Sequence, residues 1–264
     1  MSQAERRAIR SRPANLIRIM PAEESQNLKT SSRRSAGRMF FYMQRAIIFA
    51  NGELNPPYPS PDNFLPNDWF IAADGGARHC NNLGIQPNTL IGDFDSLESK
   101  EIDRLQALGV QIIRHPVQKD ETDLELALLF AAERGAEEII VYAALGARWD
   151  MTLANLMLLT HPRLQACNLS IIDGGQIIRL LRGGQQITIQ GQPGDTVSLI
   201  PLSPEVSGIT THDLEYPLEH GSLTLGSPRG VSNVMINDQC QINIETGLLA
   251  IVHIAQEDIV IVKE

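Results

Sequence analysis

Short apolar runs recur through the first two thirds of the chain. Ala46–Ala50, Trp69–Ala73, Thr89–Ile91, Val110–Ile113, Ile139–Ala144 and Leu169–Ile172 read as buried strands. Between several of them the period lengthens to that of a helix. Glu98–Leu108 ends at Gly109, and Glu121–Arg134 ends at Gly135 with Leu124, Leu128 and Ala131 on one stripe. Asp150–Leu164 carries Leu153, Leu156 and Met157 on one face. A glycine just past the last periodic residue is a helix stop signal. Strands alternating with helices predict βαβ units and a mainly parallel sheet covered on both faces.

The pattern changes near Asp173. Beyond it no amphipathic helix is evident, and short runs recur instead: Ile177–Leu181, Gln186–Ile189, Thr196–Ile200, Ser222–Leu225, Gln241–Glu245 and Leu248–His253. Gly183-Gly184, Gln192-Pro193-Gly194, Gly221 and Gly247 punctuate them. That is the signature of an all-β sandwich or barrel. The expected architecture is a Rossmann-like α/β domain over residues 43–175, followed by a β-sandwich domain over 176–264.

Composition narrows the function. The chain has 264 residues, 43% hydrophobic and 20% charged, enough apolar material for a core. Its longest apolar stretches, such as Leu126–Ala132, fall far short of the ~20 residues that span a bilayer, so no membrane partner is expected. Cys80, Cys167 and Cys240 form neither a disulfide framework nor a zinc pattern, which suits a reducing, cytoplasmic setting. The net charge of −9 is uneven. Residues 1–42 hold nine basic and three acidic residues, leaving a body at −15. Such a body argues against nucleic acid as a partner, since phosphate backbones need positive charge. It suits a cationic substrate or carboxylate-held metal ions. The Arg- and Ser-rich segment 1–42 reads as a disordered extension, an organelle-targeting peptide, or a stretch upstream of a start at Met43.

The acidic residues of the α/β half cluster where strands end. Asp74-Gly75-Gly76 follows Trp69–Ala73, and Gly92-Asp93-Phe94-Asp95-Ser96 follows Thr89–Ile91. Lys119-Asp120-Glu121-Thr122-Asp123 and Arg148-Trp149-Asp150 each open a helix. Four motifs thus converge on the carboxyl edge of the sheet, where open α/β sheets bind ligands. Asp93 and Asp95 reach one ion only if Phe94 sits in a bend, because alternate residues of an extended chain point apart. Asp120 with Asp123 also fits a helix N-cap followed by a first-turn acid. Crowded carboxylates call for a cation, and Mg²⁺ accepts one or two of them together with substrate phosphates. Neither a Walker loop nor a Gly-x-Gly-x-x-Gly turn is present. The six histidines show no metal-ligand spacing.

These motifs, with Gly146-Ala147-Arg148-Trp149-Asp150, Asn155, Tyr216-Pro217-Leu218 and Gly230-Val231-Ser232-Asn233, occur in the order found in thiamine pyrophosphokinases. The chain resembles that family over roughly residues 45–255. The resemblance implies transfer of the β,γ-diphosphoryl group of ATP to the hydroxyl of thiamine, with Mg²⁺, in a homodimer whose active sites lie between the α/β part of one subunit and the β part of the other. It implies a metal set of Asp93, Asp95, Asp120 and Asp123, with Asp150 orienting or deprotonating the nucleophile. Nucleotide contacts fall to Asp74, Gly75, Gly76, Gly92, Ser96, Lys119, Thr122, Arg148 and Asn155, and thiamine contacts to Ser232 and Asn233. Two positions depart from the family's fourth motif, which commonly reads Gly-Gly-Arg-x-Asp-His. Ala147 replaces its second glycine and Met151 its histidine. The alternatives are a related pyrophosphokinase acting on a pterin alcohol, a non-catalytic thiamine or nucleotide binder, and a nucleic-acid binder led by the basic segment.

Overall fold

The computed structural model describes residues 20–21 and 45–256. The expectation for residues 1–42 therefore lies outside the described residues, apart from β1 (Met20–Pro21), which pairs with Gln185–Gln186. The first half contains β2 (Arg45–Phe49), β3 (Trp69–Ala73), α1 (Gly76–Asn82), β4 (Thr89–Gly92), α2 (Ser99–Ala107) and β5 (Gln111–Arg114). It continues with α3 (Asp123–Glu133), β6 (Glu138–Tyr142), α4 (Trp149–Met157) and β7 (Asn168–Asp173). Six strands lie parallel in the order β7-β6-β2-β3-β4-β5.

The two-residue period of β2 explains its double burial. Ala46 and Ile48 pack in one core with Leu128 and Ala131 of α3. Ile47 and Phe49 pack in another with Cys80 of α1 and Leu105 of α2. A strand covered on both faces has no polar face to show, so it reads as an unbroken apolar run.

Two helices differ from the pattern's prediction. The long helix expected over 150–164 stops at Met157 and gives way to 3-10 turns at Leu158–Thr160 and Pro162–Leu164. Pro162 has no N–H to donate and forces His161 out of the helical region, to ψ 128°. Helix α1 carries too few apolar residues to register as periodic.

The later strands are β8 (Gln176–Arg182), β9 (Gln185–Gln190), β10 (Thr196–Pro201), β11 (Glu205–His212), β12 (Gly221–Thr224), β13 (Asn233–Val234), β14 (Gln239–Asn243) and β15 (Leu248–Ile254). The large sheet continues across the expected junction at 175/176. β7 and β8 form a hairpin turning at Gly174 (φ +55°), and β15, β10 and β13 follow antiparallel, making ten strands. A separate antiparallel sheet, β1-β9-β14-β11-β12, faces this extension. Leu181, Leu199 and Ile251 of the large sheet pack against Ile187, Val206 and Ile242 of the small one. The two sheets thus form a sandwich, one layer of which is shared with the α/β part.

Candidate active site

The chain runs outward from β2 to β5, then returns to the other side of β2 as β6. Ligands of open α/β sheets bind where the order reverses in this way. A cleft of about 380 Å³ opens there, lined by Asn51, Glu53, Asp74, Asp123, Arg148 and Asn155 among others.

Asp74 leaves β3 with φ +47° and is 5% exposed. Its Oδ2 accepts hydrogen bonds from Ser96 Oγ (2.5 Å) and Asn51 Nδ2 (3.3 Å), while its buried Oδ1 has no partner. The two glycines that follow answer a packing demand. A Cβ on Gly76 would sit 1.9 Å from the Phe49 carbonyl oxygen, and one on Gly75 would sit 2.0 Å from Asn51 Oδ1. At Gly76 the obstacle is backbone, so only glycine there lets α1 start this close to the end of β2, whereas at Gly75 the Asn51 side chain would have to move.

The bend anticipated at Phe94 is present, with φ +65°. Its buried ring anchors the bend, under the Arg114 guanidinium at 4.7 Å. Asp93 Oδ1 accepts from Asp95 N at 3.2 Å. Carboxylate oxygens of Asp74, Asp93 and Asp95 lie within 4.8 Å of one another. Gly92 (φ +154°) sits tightly between motifs: a Cβ there would lie 3.1 Å from Asp74 Cβ and 3.3 Å from Asp123 Oδ1.

Lys119 spans the group. Its Nζ is 2.8 Å from Asp93 Oδ2 and 3.1 Å from Asp123 Oδ1, the latter an ion pair out of line for a hydrogen bond. The Lys119 hydrogen bond holds the Asp93 carboxyl below the usual range. Burial alone would lower the Lys119 ammonium, but its pairing with Asp93 and Asp123 outweighs that and raises it. Burial pushes Asp123 up, against the pull of Lys119, and the charges of Asp93 and Asp74 add to the rise.

Of the four expected metal carboxylates, Asp93 and Asp95 therefore lie together, joined by Asp74 rather than by Asp120. Asp123 borders them across Gly92 and Lys119. Asp120 is exposed and outside the cluster. The helix cap is Thr122, whose Oγ1 accepts from Glu125 N at 3.1 Å, so Asp120 precedes the helix altogether. At the other wall, Arg148 and Asp150 form an exposed pair, Nη2–Oδ2 2.5 Å and Nε–Oδ1 3.2 Å. That bond keeps the Asp150 carboxyl low. Asn155 is buried; its Nδ2 donates to the Ala144 carbonyl at 2.6 Å and its Oδ1 has no partner. Asn51 and Glu53 also line the cleft, and nothing in the sequence marks them, because they follow β2 without a recognisable motif.

Two family models match this chain. "Thiamin pyrophosphokinase, catalytic domain" covers residues 63–171, and "Thiamin pyrophosphokinase, vitamin B1 binding domain" covers residues 185–249. The chain belongs to the thiamin pyrophosphokinase family. It is 28% identical over 200 residues to the thiamine pyrophosphokinase of Bacillus subtilis (strain 168), covering 73% of this chain and 94% of that one. It is 25% identical over 211 residues to thiamine pyrophosphokinase 1 of Arabidopsis thaliana, covering 76% and 75%. The crystal structure of the Bacillus subtilis protein superposes with a TM-score of 0.72 at 27% identity, over 81% of this chain and all of that one. Thiamin pyrophosphokinase from Candida albicans shares the fold at a TM-score of 0.69 and 16% identity, over 91% and 99%.

Within this family's fourth motif, Ala147 is accommodated without strain, since its φ is not positive. Its N–H donates to Glu53 Oε1 at 3.2 Å. Met151 lines the cleft and brings no proton-transfer group. In the family's second half, Ser232 has φ +62° and its N–H donates to Ser198 Oγ at 3.0 Å. Asn233 is buried and holds backbone: Oδ1 accepts from Tyr216 N (3.0 Å) and Val234 N (2.9 Å), while Nδ2 donates to Tyr216 O (2.7 Å). The Tyr216 side chain is left exposed.

Proposed function

We propose that this chain is an ATP:thiamine diphosphotransferase that makes thiamine diphosphate and AMP. The observation that carries this reading is the carboxylate group Asp74, Asp93 and Asp95, set beside a cleft at the sheet's switch point in a chain that matches both halves of the family. The hydroxyl oxygen of thiamine bonds to the β-phosphorus of ATP, the bridge from that phosphorus to the α-phosphate oxygen breaks, and the hydroxyl proton leaves to base or solvent.

The residues present fit a magnesium ion. Asp74 Oδ1 is an orphaned buried carboxylate oxygen, and oxygen-only donors suit this hard cation. Asp74, Asp93 and Asp95 would hold it, with Asp123 alongside. When bound, the ion offsets charge on the phosphate oxygens. Lys119 balances Asp93 and Asp123 and keeps a cation beside the phosphate chain. Arg148 presents a guanidinium that matches two phosphate oxygens. Asp150, held low by Arg148, is a weak base, so its part is to orient the thiamine hydroxyl rather than to take its proton early. Thiamine's permanent positive charge suits the acidic body.

In this reading the acceptor half comes from the β13 region, with Ser232 and the exposed Tyr216 ring presented to thiamine, while the buried Asn233 holds the Tyr216 backbone instead of touching substrate as the sequence led one to expect. The reading includes a homodimer that brings that region over the carboxylates of a second copy. Three free cysteines and the absence, among the described residues, of a helix able to cross a membrane accord with a cytoplasmic enzyme. The test is acceptor choice. With ATP and Mg²⁺, thiamine supports AMP release and a pterin alcohol does not; the reverse preference would overturn the assignment.

A further inference from the structure

Beneath β13 the sandwich contains a buried polar node. His253 of β15 lies with Nε2 2.9 Å from Asp195 Oδ2, and the two side chains are 8% and 5% exposed. Asp195 has further work: Oδ2 accepts from Gln192 N (3.0 Å), and Oδ1 from Gln256 N (2.8 Å). Its carbonyl accepts from Met235 N at 2.9 Å, while Met235 O accepts from Gly194 N at 2.8 Å. The register sets Val197 of β10 between His253 on β15 and Asn233 on β13. Space at the node is full. A Cβ on Gly191 would lie 2.5 Å from Asp195 Oδ2, 2.9 Å from Met235 Sδ and 3.0 Å from His253 Nε2.

This node connects to the exposed edge in two steps. Asp195 fixes Met235, the residue after β13, and β13 carries Asn233, whose amide fixes Tyr216. We propose that His253 and Asp195 are positioning residues for the acceptor half of the active site. They set the depth and tilt of β13, and so the placement of Ser232 and Tyr216, without touching substrate. The inference rests on the reading that this edge faces thiamine. A buried ion or polar pair need not stabilise more than apolar residues of the same volume, but it demands one geometry, because any slip leaves a desolvated carboxylate unpaired.

The experiment compares His253→Leu with His253→Gln in the full chain, measuring kcat, KM for thiamine, KM for ATP and melting temperature. Leucine removes the donor to Asp195, and glutamine retains an N–H. The expected result is a thiamine KM raised roughly fivefold or more in His253→Leu, with kcat and the ATP KM within about twofold, and recovery in His253→Gln. A lowered melting temperature with both KM values unchanged, or with both raised alike, would overturn the proposal. If His253→Leu does not fold, Asp195→Asn, which keeps the shape and weakens the acceptor, reads the same split. Asn233→Ala is run alongside. If its thiamine KM is also unmoved, the placement of thiamine at β13 fails. If it moves there and not in the His253 variants, the positioning role fails.

Discussion

Lys119 Nζ stands 2.8 Å from Asp93 Oδ2, and both side chains are 11% exposed. The pair has a defined pH window. Asp93 is lowered, so its contribution to stability is complete above the unfolded carboxyl value and fades as pH falls through the folded one. Lys119 is raised, so its contribution is complete below the unfolded ammonium value and fades as pH rises through the folded one. Asp123, raised by burial, works in the opposite sense and favours the folded state in acid. We predict that Lys119→Met costs about 1–3 kcal/mol near neutral pH. The difference from wild type should shrink in acid, as Asp93 is protonated. Urea unfolding across pH checks this, and a difference that grows in acid would refute it.

Asp74 carries a buried oxygen without a partner. We predict that Asp74→Asn and Asp95→Asn each reduce turnover by orders of magnitude while the fold persists, because charge neutralisation is lost and shape is not. Circular dichroism and steady-state rates separate the two effects, and Mn²⁺ titration reads cation affinity directly. Asp120→Asn should change turnover far less, since Asp120 is exposed away from the cluster. Equal losses at Asp74 and Asp120 would contradict the grouping of Asp74 with Asp93 and Asp95.

Gly92 combines a backbone angle that favours glycine with close neighbours on two motifs. Gly92→Ala should therefore cost about 1–3 kcal/mol of stability and push Asp74 from Asp123. Thermal unfolding together with the Mg²⁺ dependence of the rate provides the check. Wild-type stability with wild-type Mg²⁺ dependence would show that the contact is easily relieved.

Asn233→Ala removes three hydrogen bonds to backbone. The expected outcome is a thiamine KM raised roughly tenfold or more with little change for ATP. Tyr216→Ala should raise it in the same direction, because the Asn233 bonds hold the backbone of that residue. Mixing Asn233→Ala with Asp95→Asn tests the shared site. Mixed dimers should regain activity above either parent. No gain after confirmed subunit exchange would assign the β13 region to its own subunit.

The sequence exposed the fold where burial left a simple period. Every buried strand of the α/β part appears as an apolar run, because both of its faces are covered. The continuity of the large sheet was not legible. Strand pairing between β7 and β8 leaves no mark on composition, and the pattern only shows where helices stop. The carboxylate motifs were legible as motifs, and the bend at Phe94 followed from the need to bring alternate residues together. Which acids meet was not. Asp74 reaches Asp93 because β3 and β4 are neighbours, a tertiary fact. Asp120 falls outside because the helix is capped by Thr122, two residues beyond the cap position that Asp120 would have filled. Asn51 and Glu53 carry no signal of their own, and only the reversal of strand order beside β2 makes them part of the cleft.

The proposed reaction transfers two phosphoryl groups in one step. The direct measurement uses ATP labelled with ¹⁸O at the nonbridging oxygens of the β- and γ-phosphates, incubated with the purified chain, thiamine and Mg²⁺, with the products resolved by mass spectrometry. The expected products are thiamine diphosphate carrying both labelled phosphates and unlabelled AMP in equal amount. Labelled ADP with thiamine monophosphate, or no thiamine product at all, would contradict this reaction.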